Sequence, residues 1–401
     1  MVYRPFGSTG LEVGEIGLGL EHLDREDTAS IVGTVRAAVD GGVNFLDLTI
    51  FTPEARDRMG EALRGIRDRV LLAGHLGYRS AEEGKSPLVR DRSTSESELG
   101  DLLARLGTDH LDIGWLSLVD NDEDFARVMS EDGLLGFARS LRRAGTVKFI
   151  GLSSHVCSIA AKAVASGAID VLMFPVNAAH DLVAERSGEG AWKAETYRPQ
   201  PGQTAGPAED RQALYLACAE RGIALVAMKP YAGGLLLSGG TISGALTEEA
   251  DVASGELART LGINLSPVQC LAYALAQPGV SVALPGCRSP GEVRAALAYF
   301  DAAPKQRDFS GIDANALWKL RRRCVYCNHC LPCPAGIEIG GLMRLLDIAE
   351  HANSESARSM YRALESHADD CTDCGVCEER CPFGVPVEER MDRAVVIFGG
   401  A

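Results

Sequence analysis

The sequence has a deficit of positive charge and contains no long hydrophobic run. Its 401 residues include 40 lysines and arginines against 55 aspartates and glutamates, a formal net charge of −15. Such a charge repels phosphate backbones and anionic lipid headgroups, so we expect neither nucleic acid nor membrane as a partner. No apolar stretch is long enough to span a bilayer, and residues 1–6 lack the apolar core of a secretion signal. We therefore expect a cytoplasmic protein.

The composition also excludes a disordered chain and a disulfide-stapled scaffold. With 46% hydrophobic and 24% charged residues, the chain can bury a full-sized core. A single domain rarely exceeds about 250 to 300 residues, so we expect a large domain and a smaller one. Twelve cysteines would suit a disulfide scaffold only in a short secreted chain. Eight of them fall between Cys324 and Cys381, at the tight spacing of metal-cluster ligands.

Residues 14 to about 300 alternate short apolar runs with amphipathic stretches, the pattern of strand and helix in a parallel α/β sheet. The runs are rich in Val, Ile and Leu, as strands buried on both faces are. Eight such units predict a closed (β/α)8 TIM barrel, with an open doubly wound sheet as the alternative. The predicted strands are Glu15–Leu20, Val43–Asp47, Val70–His75, Leu111–Leu118, Val147–Ser153, Asp170–Val176, Ile223–Lys229 and Ser281–Pro285.

Two segments interrupt this pattern. Residues 183–207 are polar and glycine-rich and follow the sixth strand, which predicts either a lid or an ordinary surface loop. Residues 302–312 have the composition of a linker. The sequence therefore predicts a barrel over residues 1–301, a linker over 302–312 and a cysteine-rich domain over 313–401.

Eight cysteines form two motifs in that last domain. The first is C-x-x-C-x-x-C-x-x-C-P, ending at Pro334, and the second is C-x-x-C-x-x-C-x-x-x-C-P, ending at Pro382. Three thiolates at this separation wrap around one iron–sulfur cube, and the fourth, before proline, points to the neighbouring cube. The spacing predicts two [4Fe-4S] clusters, one held by Cys324, Cys327, Cys330 and Cys381, the other by Cys371, Cys374, Cys377 and Cys333.

Two structural zinc sites are the alternative, although zinc needs no trailing proline. Residues 340–350 and 358–365, between the motifs, have helical periodicity. The domain thus resembles the mainly α-helical dicluster ferredoxins found in respiratory dehydrogenase subunits. Because every ligand is a cysteine, no iron is left open for substrate. Electron transfer is the predicted role of the clusters, and a purely structural role is the alternative.

Polar residues accumulate where the predicted barrel strands end. The C-terminal ends of the strands form one face of a barrel, and active sites lie there. Convergence on that face makes these residues a candidate site, although each alone could be a cap or a surface residue. They are Glu21, His22, Asp47, Thr49, His75, Ser117, Asp120, Ser153, Ser154, His155, Asn177, His180, Lys229 and Arg288.

The first 300 residues resemble the aldo-keto reductases. Residues 3–13 are similar to that family's opening hairpin, and VNFLD at 43–47 with MGEAL at 59–63 to the segment bearing its catalytic aspartate. Residues 150–153, 228–234 and 284–290 are similar to its later strand ends. With the cysteine motifs, the chain resembles the branch that carries a C-terminal two-cluster [4Fe-4S] domain.

The residues that the resemblance assigns to catalysis depart from the family's pattern. The family uses an aspartate, a tyrosine, a lysine and a histidine, and the tyrosine hydroxyl delivers a proton to the substrate. Asp47 holds the aspartate position. The tyrosine position falls on Thr52, or on Phe51 if the loop shifts by one residue, the lysine position on His75 and the histidine position on Ser117. A threonine hydroxyl is too weak an acid to replace a phenol, so we expect no proton delivery by the family's route.

Cofactor residues follow the family only in part. The resemblance implies contacts from Lys229, Ser153 and Asn177, and places Arg288 where a cation meets the 2′-phosphate of NADP. Ala296 stands where the family has an adenine-contacting asparagine, so whether NADP binds is left open.

A second acid–base set is available at the same strand ends. His75, with Asp47, Glu21 and His22 nearby, could move protons, because a carboxylate beside an imidazole fixes its tautomer. The same residue types could hold a divalent metal, which is the alternative.

Three functions compete. The first is an iron–sulfur oxidoreductase that acts on a small hydroxyl- or carbonyl-bearing metabolite, with electrons passing through both clusters from a ferredoxin or flavodoxin. The second is a non-redox lyase, a dehydratase or epimerase, run by His75 and Asp47. The third is a non-catalytic protein that docks electron carriers.

Overall fold

The structure, a computed structural model, describes residues 1–24, 26–80, 88–181, 209–237, 262–263, 265–312, 317, 323–324, 326, 330–352, 355–381 and 384–399. The predicted lid over 183–207 and the predicted ligand Cys327 lie outside these residues. The chain forms two compact units. The first contains residues 1–187, 207–230 and 267–309, and the second residues 188–206, 231–266 and 310–401, with the gaps just given.

The first unit is built around eight parallel strands. A short antiparallel hairpin precedes them, β1 (Tyr3–Pro5) with β2 (Glu12–Gly14). Neighbours in the sheet are consecutive in the chain, the order of a barrel. The strands are β3 (Leu18–Gly19), β4 (Phe45–Leu48), β5 (Leu71–Leu76), β6 (Leu111–Leu116), β7 (Val147–Ser153), β8 (Val171–Pro175), β9 (Ala224–Met228) and β10 (Val280–Leu284).

The sheet closes on itself, which confirms the predicted (β/α)8 barrel over the open alternative. Parallel bridges join Ile16 to Ala283 and Gly19 to Gly286. The backbone N–H of Gly17 donates to the Ala283 carbonyl at 2.9 Å, and that of Ala283 donates to the Glu15 carbonyl at 2.9 Å. The first strand is shorter than predicted, because residues 15–17 pair with β10 through single bridges and bonds and only Leu18–Gly19 forms a ladder.

Helices follow the strands, and several begin at side-chain caps that satisfy the free N–H groups of the first turn. Asp27, Asp91 and Asn121 cap three of them. The helices of the first unit are α1 (Thr28–Asp40), α2 (Pro53–Leu63), α3 (Arg92–Leu106), α4 (Asp122–Val128), α5 (Leu134–Ala144), α6 (Cys157–Ser166), α7 (Ala178–Asp181), α8 (Glu209–Arg221), α9 (Pro267–Leu275), α10 (Pro290–Leu297) and α11 (Pro304–Arg307).

Glycines end the helices that feed five of the strands. Gly145 and Gly167 have φ of 80° and 65° at the C-caps of α5 and α6, the left-handed conformation that glycine adopts without strain. The remaining three, Gly42, Gly222 and Gly279, also have positive φ.

The predicted linker contains a helical turn. Within α11 and after it, Arg307 stacks on the Tyr299 ring at 4.5 Å, and Phe309 meets the Tyr273 ring at 5.4 Å. Residues up to Phe309 therefore pack within the first unit. The domain boundary itself stays a prediction.

The described tail of the second unit is helical and has its own apolar core. Tyr361 stacks on Phe398 with ring centroids 4.1 Å apart, and Leu342, Leu346 and Ala394 are fully buried. No helix in the described part of the chain combines the length and apolar character needed to cross a bilayer. The helices are α12 (Ile339–Ala352), α13 (Glu355–Arg362), α14 (Val376–Arg380) and α15 (Val387–Phe398).

Candidate active site and cluster ligands

The site side chains continue the inward-facing rows of the barrel strands. Side chains alternate along a strand, so residues two apart face the same side. Phe45, Ala73 and Ile113 belong to the buried core cluster inside the barrel. The next inward positions toward the strand ends are Asp47, His75 and Trp115, and they therefore sit directly above that apolar layer. Two of the four predicted catalytic residues, Asp47 and His75, thus come from one layer of the barrel.

Asp47, His75 and Ser117 form a continuous hydrogen-bonded chain. The His75 Nε2 atom lies 3.2 Å from Asp47 Oδ1, and its Nδ1 lies 2.8 Å from the Ser117 hydroxyl. Asp47 is 4% exposed and Ser117 fully buried, so water has little access to either end. These are three of the positions to which the family resemblance assigned the tetrad. A buried carboxylate, an imidazole and a hydroxyl in this order can shift a proton across the ring.

Asp47 is held in place by two further donors. The Trp115 indole N–H donates to Asp47 Oδ1 at 2.9 Å, and the Thr49 hydroxyl donates to Oδ2 at 3.3 Å. These two donors leave lone pairs of the carboxylate free on the side of His75. Asp47 can therefore accept the His75 Nε2–H, which fixes the orientation of the imidazole ring.

Thr52, at the family's tyrosine position, is used structurally. Its hydroxyl oxygen accepts the Ala55 backbone N–H at 3.3 Å as the N-cap of α2, and its hydroxyl lies 3.3 Å from Asp24 Oδ1. The carboxylate of Asp24 also accepts the backbone N–H of Phe51 at 2.7 Å. The hydroxyl of Thr52 is thus committed to the loop and the helix start.

Glu21 and His22 lie in a short 3-10 turn that follows β3, Glu21–Leu23. Desolvation by the surrounding protein acts to raise the pKa of Glu21. The positive charge of Lys229, with the electrostatic influence of the imidazoles of His22, His155 and His75, outweighs that effect, so its pKa lies below the usual value. Glu21 stays a carboxylate. Since Lys229, His155 and His75 act on it, the turn after β3 lies near the ends of β9, β7 and β5.

Two more histidines border the same mouth. His155 is 1% exposed, its Nδ1 lies 3.1 Å from Asp120 Oδ2, and its backbone N–H donates to Asp120 Oδ1 at 2.7 Å. Burial lowers the pKa of His155 although Asp120 acts in the opposite direction. Burial also lowers the pKa of His180 well below its usual value, and the positive charge of Arg211 adds to this. Both imidazoles are therefore neutral at pH 7.

Tyr78 was missed in the sequence, although the structure brings it to this site. Its ring stacks on Phe51 at 4.5 Å and meets the edge of the His75 ring at 6.0 Å. Burial raises its pKa above the usual value, and Glu21 acts in the same direction. The signal available in the sequence was its position three residues after His75, just beyond the end of β5.

The predicted cofactor residues have partners within the protein. The Arg288 guanidinium pairs with Glu26, its Nε lying 3.0 Å from Glu26 Oε1. The Ser153 hydroxyl accepts the Leu118 backbone N–H at 2.9 Å, and the Asn177 side chain donates to the Lys229 carbonyl at 2.9 Å. Ser153 and Asn177 brace the ends of neighbouring strands. Their contacts with a nucleotide stay predictions.

Lys229 has a strained backbone at the end of β9. Its φ is 53°, in the left-handed region that a side chain with a Cβ rarely adopts. Such conformations persist where the surroundings enforce them, and they concentrate at functional sites. The Asn177 bond to its carbonyl is one restraint that holds this conformation.

Four cysteines assigned to one cluster line a common cavity in the second unit. The cavity encloses about 360 Å³, including the space open to solvent, and Cys330 also borders it. Apolar side chains, Ile337, Ile339, Val387 and Met391, form the rest of its wall. Thiols converging on an apolar pocket suit a [4Fe-4S] cluster. The four are Cys333, Cys371, Cys374 and Cys377.

The segment of the first motif is fixed by a buried carboxylate. Asp347, 2% exposed on α12, accepts the Tyr326 hydroxyl at 2.7 Å, Arg323 at 2.9 Å and Arg390 at 2.7 Å. The backbone N–H of Tyr326 donates to Cys324 Sγ at 3.3 Å, a contact that stabilises a thiolate. Of the other ligands predicted for this cluster, Cys330 is buried and Cys381 is half-buried.

Comparisons with known proteins agree with both units. Residues 15–186 and 207–316 match the aldo/keto reductase family, and residues 323–386 match a 4Fe-4S dicluster domain. The structure is similar to the aldo-keto reductase AKR11C1 from Bacillus halodurans in its holo form, with a TM-score of 0.55 and 20% identity. That likeness covers 80% of this chain and 96% of the other.

Two proteins of Bacillus subtilis are similar in sequence over a shorter stretch. One is the uncharacterized oxidoreductase YqkF, 25% identical over 158 residues, and the other the aldo-keto reductase YhdN, 29% identical over 169 residues. Each match covers 38% of this chain and about half of the relative, 48% and 47%. The chain belongs to the aldo/keto reductase family, with a 4Fe-4S dicluster domain following the barrel.

Proposed function

We propose that the protein is an iron–sulfur oxidoreductase that interconverts a carbonyl and a hydroxyl group on a small metabolite at the barrel mouth. The observation that carries the proposal is the cavity lined by Cys333, Cys371, Cys374 and Cys377 on the same chain as an aldo/keto reductase barrel. The YqkF and YhdN names, an oxidoreductase and an aldo-keto reductase, support the reaction class.

The barrel mouth would bind the substrate and manage its protons. Asp47 orients His75, and the imidazole links that carboxylate to the Ser117 hydroxyl. Glu21 and Lys229 put opposite charges at the same mouth, which suits a small polar molecule. The apolar layer of Phe45, Ala73 and Ile113 closes the floor beneath it.

The clusters would be held by the two sets of cysteines given by the motif spacing. Bound there, [4Fe-4S] clusters supply electrons one at a time, and two of them can provide the pair that a carbonyl reduction requires. NADP is a second candidate donor, through Arg288, Lys229, Ser153 and Asn177. A ferredoxin or flavodoxin is the proposed external partner, and the cytoplasm the proposed location.

Replacing one ligand in each motif tests the proposal. We expect Cys324→Ser and Cys371→Ser, in the full cluster-loaded chain, to abolish reduction of benzaldehyde by reduced methyl viologen while the barrel stays folded by circular dichroism. The matched control is Cys218→Ala, since Cys218 is fully buried in α8 and burial raises its pKa to about 12, which keeps it an inert thiol. Full turnover in both ligand variants would exclude the electron relay.

The buried chain of Asp47, His75 and Ser117 also favours a second candidate, a non-redox lyase that uses this acid–base set without the clusters. Such an activity would persist in Cys371→Ser without any added reductant and would disappear in His75→Ala. If turnover without added reductant is lost in Cys371→Ser, the lyase is ruled out.

A further inference from the structure

Tyr78 contributes a phenol to the barrel mouth at a chain position different from the one where the family carries its tyrosine. Phe51 stacks on one face of its ring, with the rings 29° apart, and the His75 ring meets it at 81°. These contacts hold the ring beside the Asp47–His75–Ser117 chain. Within the part of the chain that the structure describes, the Tyr78 hydroxyl has no hydrogen-bond partner, so it is available to a bound molecule.

The surroundings keep this hydroxyl protonated. Burial raises the pKa of this phenol, and the carboxylates of Glu21, Asp120 and Asp47 act in the same direction, with Arg90 partly offsetting them. A group that is to donate a proton must hold it at neutral pH. Its proton can pass to a substrate oxygen on which negative charge develops, because that oxygen becomes a stronger base than the carbonyl it replaces.

The other hydroxyls at the mouth are poor alternatives. Thr52 is an alcohol and is engaged as the cap of α2. Ser117 is fully buried and bonded to His75 Nδ1. Ser153 accepts the Leu118 N–H and is 2% exposed. Among these hydroxyls, that of Tyr78 is the phenol, and its ring lies beside His75 on a residue that is only half-buried.

We propose that Tyr78 is the proton donor of the reaction, a role that rests on the proposed function. Reduction of a carbonyl adds two electrons and two protons to the C=O group. A low-potential reductant, such as reduced methyl viologen, would supply both electrons, and the two sets of cysteines would hold the clusters that pass them on. The Tyr78 O–H bond breaks as an O–H bond forms on the substrate oxygen, and water supplies both the proton that ends on carbon and the one that restores the phenol.

The test removes only the hydroxyl. In the full cluster-loaded chain, we expect Tyr78→Phe to lower the rate of benzyl alcohol formation from benzaldehyde and reduced methyl viologen about 10²- to 10⁴-fold, the range of general acid catalysis. The Phe ring retains the stack on Phe51, so iron content and circular dichroism should not change. Tyr3→Phe is the matched control, because Tyr3 lies in β1 and its hydroxyl donates to the Gly42 carbonyl.

A spectroscopic measurement separates proton donation from a structural role. Raman difference spectra of bound benzaldehyde should give a lower C=O stretching frequency in the wild type than in Tyr78→Phe, because a hydrogen bond from the phenol weakens the C=O bond. If the variant turns over within about threefold of the wild type and the C=O frequency is the same, the Tyr78 proposal is wrong while the proposed function stands. If the wild type neither binds nor reduces the aldehyde, the proposed function itself fails.

Discussion

The family resemblance assigns Arg288 to the 2′-phosphate of NADP, but in this structure Arg288 forms an ion pair with the carboxylate of Glu26. Arg288 contacts this carboxylate through both Nε and Nη2. The Arg58 guanidinium donates to the backbone carbonyl of Glu26 at 2.7 Å. A 2′-phosphate would have to displace this carboxylate and would be repelled by it. An acidic residue beside a ribose instead suits a 2′-hydroxyl. At the residue scale, we therefore expect that any nicotinamide nucleotide bound here would be NADH in preference to NADPH.

We expect Glu26→Gln to tighten NADPH binding about tenfold, which corresponds to about 1.4 kcal/mol, and to leave NADH binding unchanged. The reason is that only NADPH carries the 2′-phosphate, which the family resemblance places at Arg288. Isothermal titration of both nucleotides measures this, with Glu123→Gln on α4 as an acidic control. Equal changes for the two nucleotides, or none, would show that Glu26 does not act on the 2′-phosphate.

Residue types and spacing were enough to place Asp47 and His75 on the inward face of the barrel, because both lie on predicted strands and the inward face follows from alternation. Tyr78 could not be found in this way. It lies beyond the strand, and only the folded loop turns its ring onto Phe51 and His75. The bond between the Thr52 hydroxyl and Asp24 was likewise hidden, since Asp24 comes from another loop.

At the scale of an element, the short helix α7 carries two ionisable groups, a buried Asp181 and a half-buried His180. His180 has a pKa well below its usual value of about 6.5, because burial and the charge of Arg211 oppose protonation. Below pH 6.5 the unfolded chain binds a proton there that the folded chain does not. Stability must therefore fall as the pH decreases from about 6.5, by at most about 1.4 kcal/mol per pH unit for one histidine.

We expect the melting temperature to drop between pH 7 and pH 5.5, and His180→Asn to reduce that drop because asparagine does not titrate. Differential scanning fluorimetry of the anaerobic protein at both pH values gives the comparison. A variant with the same pH dependence as the wild type would show that His180 is not the group responsible.

Asp181, at the end of α7, connects three elements. It accepts Arg211 Nε at 2.7 Å, the Tyr215 hydroxyl at 2.6 Å and the Tyr273 hydroxyl at 2.9 Å, and both Asp181 and Arg211 are essentially inaccessible to water. Burial raises the pKa of Asp181 even though Arg211 and the two hydroxyls act to lower it. The network ties α7 to α8 and α9.

Removing one partner of such a pair leaves an uncompensated buried charge, which costs about 3–5 kcal/mol. We expect Arg211→Met to lose that much unfolding free energy in urea titrations and the double variant with Asp181→Asn to regain part of it. Lys162→Met, which breaks the exposed pair with Asp122, should cost less than about 1 kcal/mol. A loss for Arg211→Met as small as that of the control would contradict this reading.

At the scale of the whole molecule, the sequence predicted both folds because each has a repeating signal. Eight apolar runs indicated the barrel, and the cysteine spacing indicated the dicluster domain that residues 323–386 match. The first unit's extension through Phe309, including α11, could not be predicted, because it depends on contacts with Tyr273 and Tyr299.

The most direct test of the central claim is a single turnover followed by EPR. The clusters are reduced with dithionite, the excess is removed, and benzaldehyde is added under anaerobic conditions before freezing. We expect the signals of the reduced clusters to disappear as about one benzyl alcohol forms per chain, since two one-electron clusters supply one pair. Clusters that stay reduced in the presence of the aldehyde, with no alcohol formed, would contradict the account.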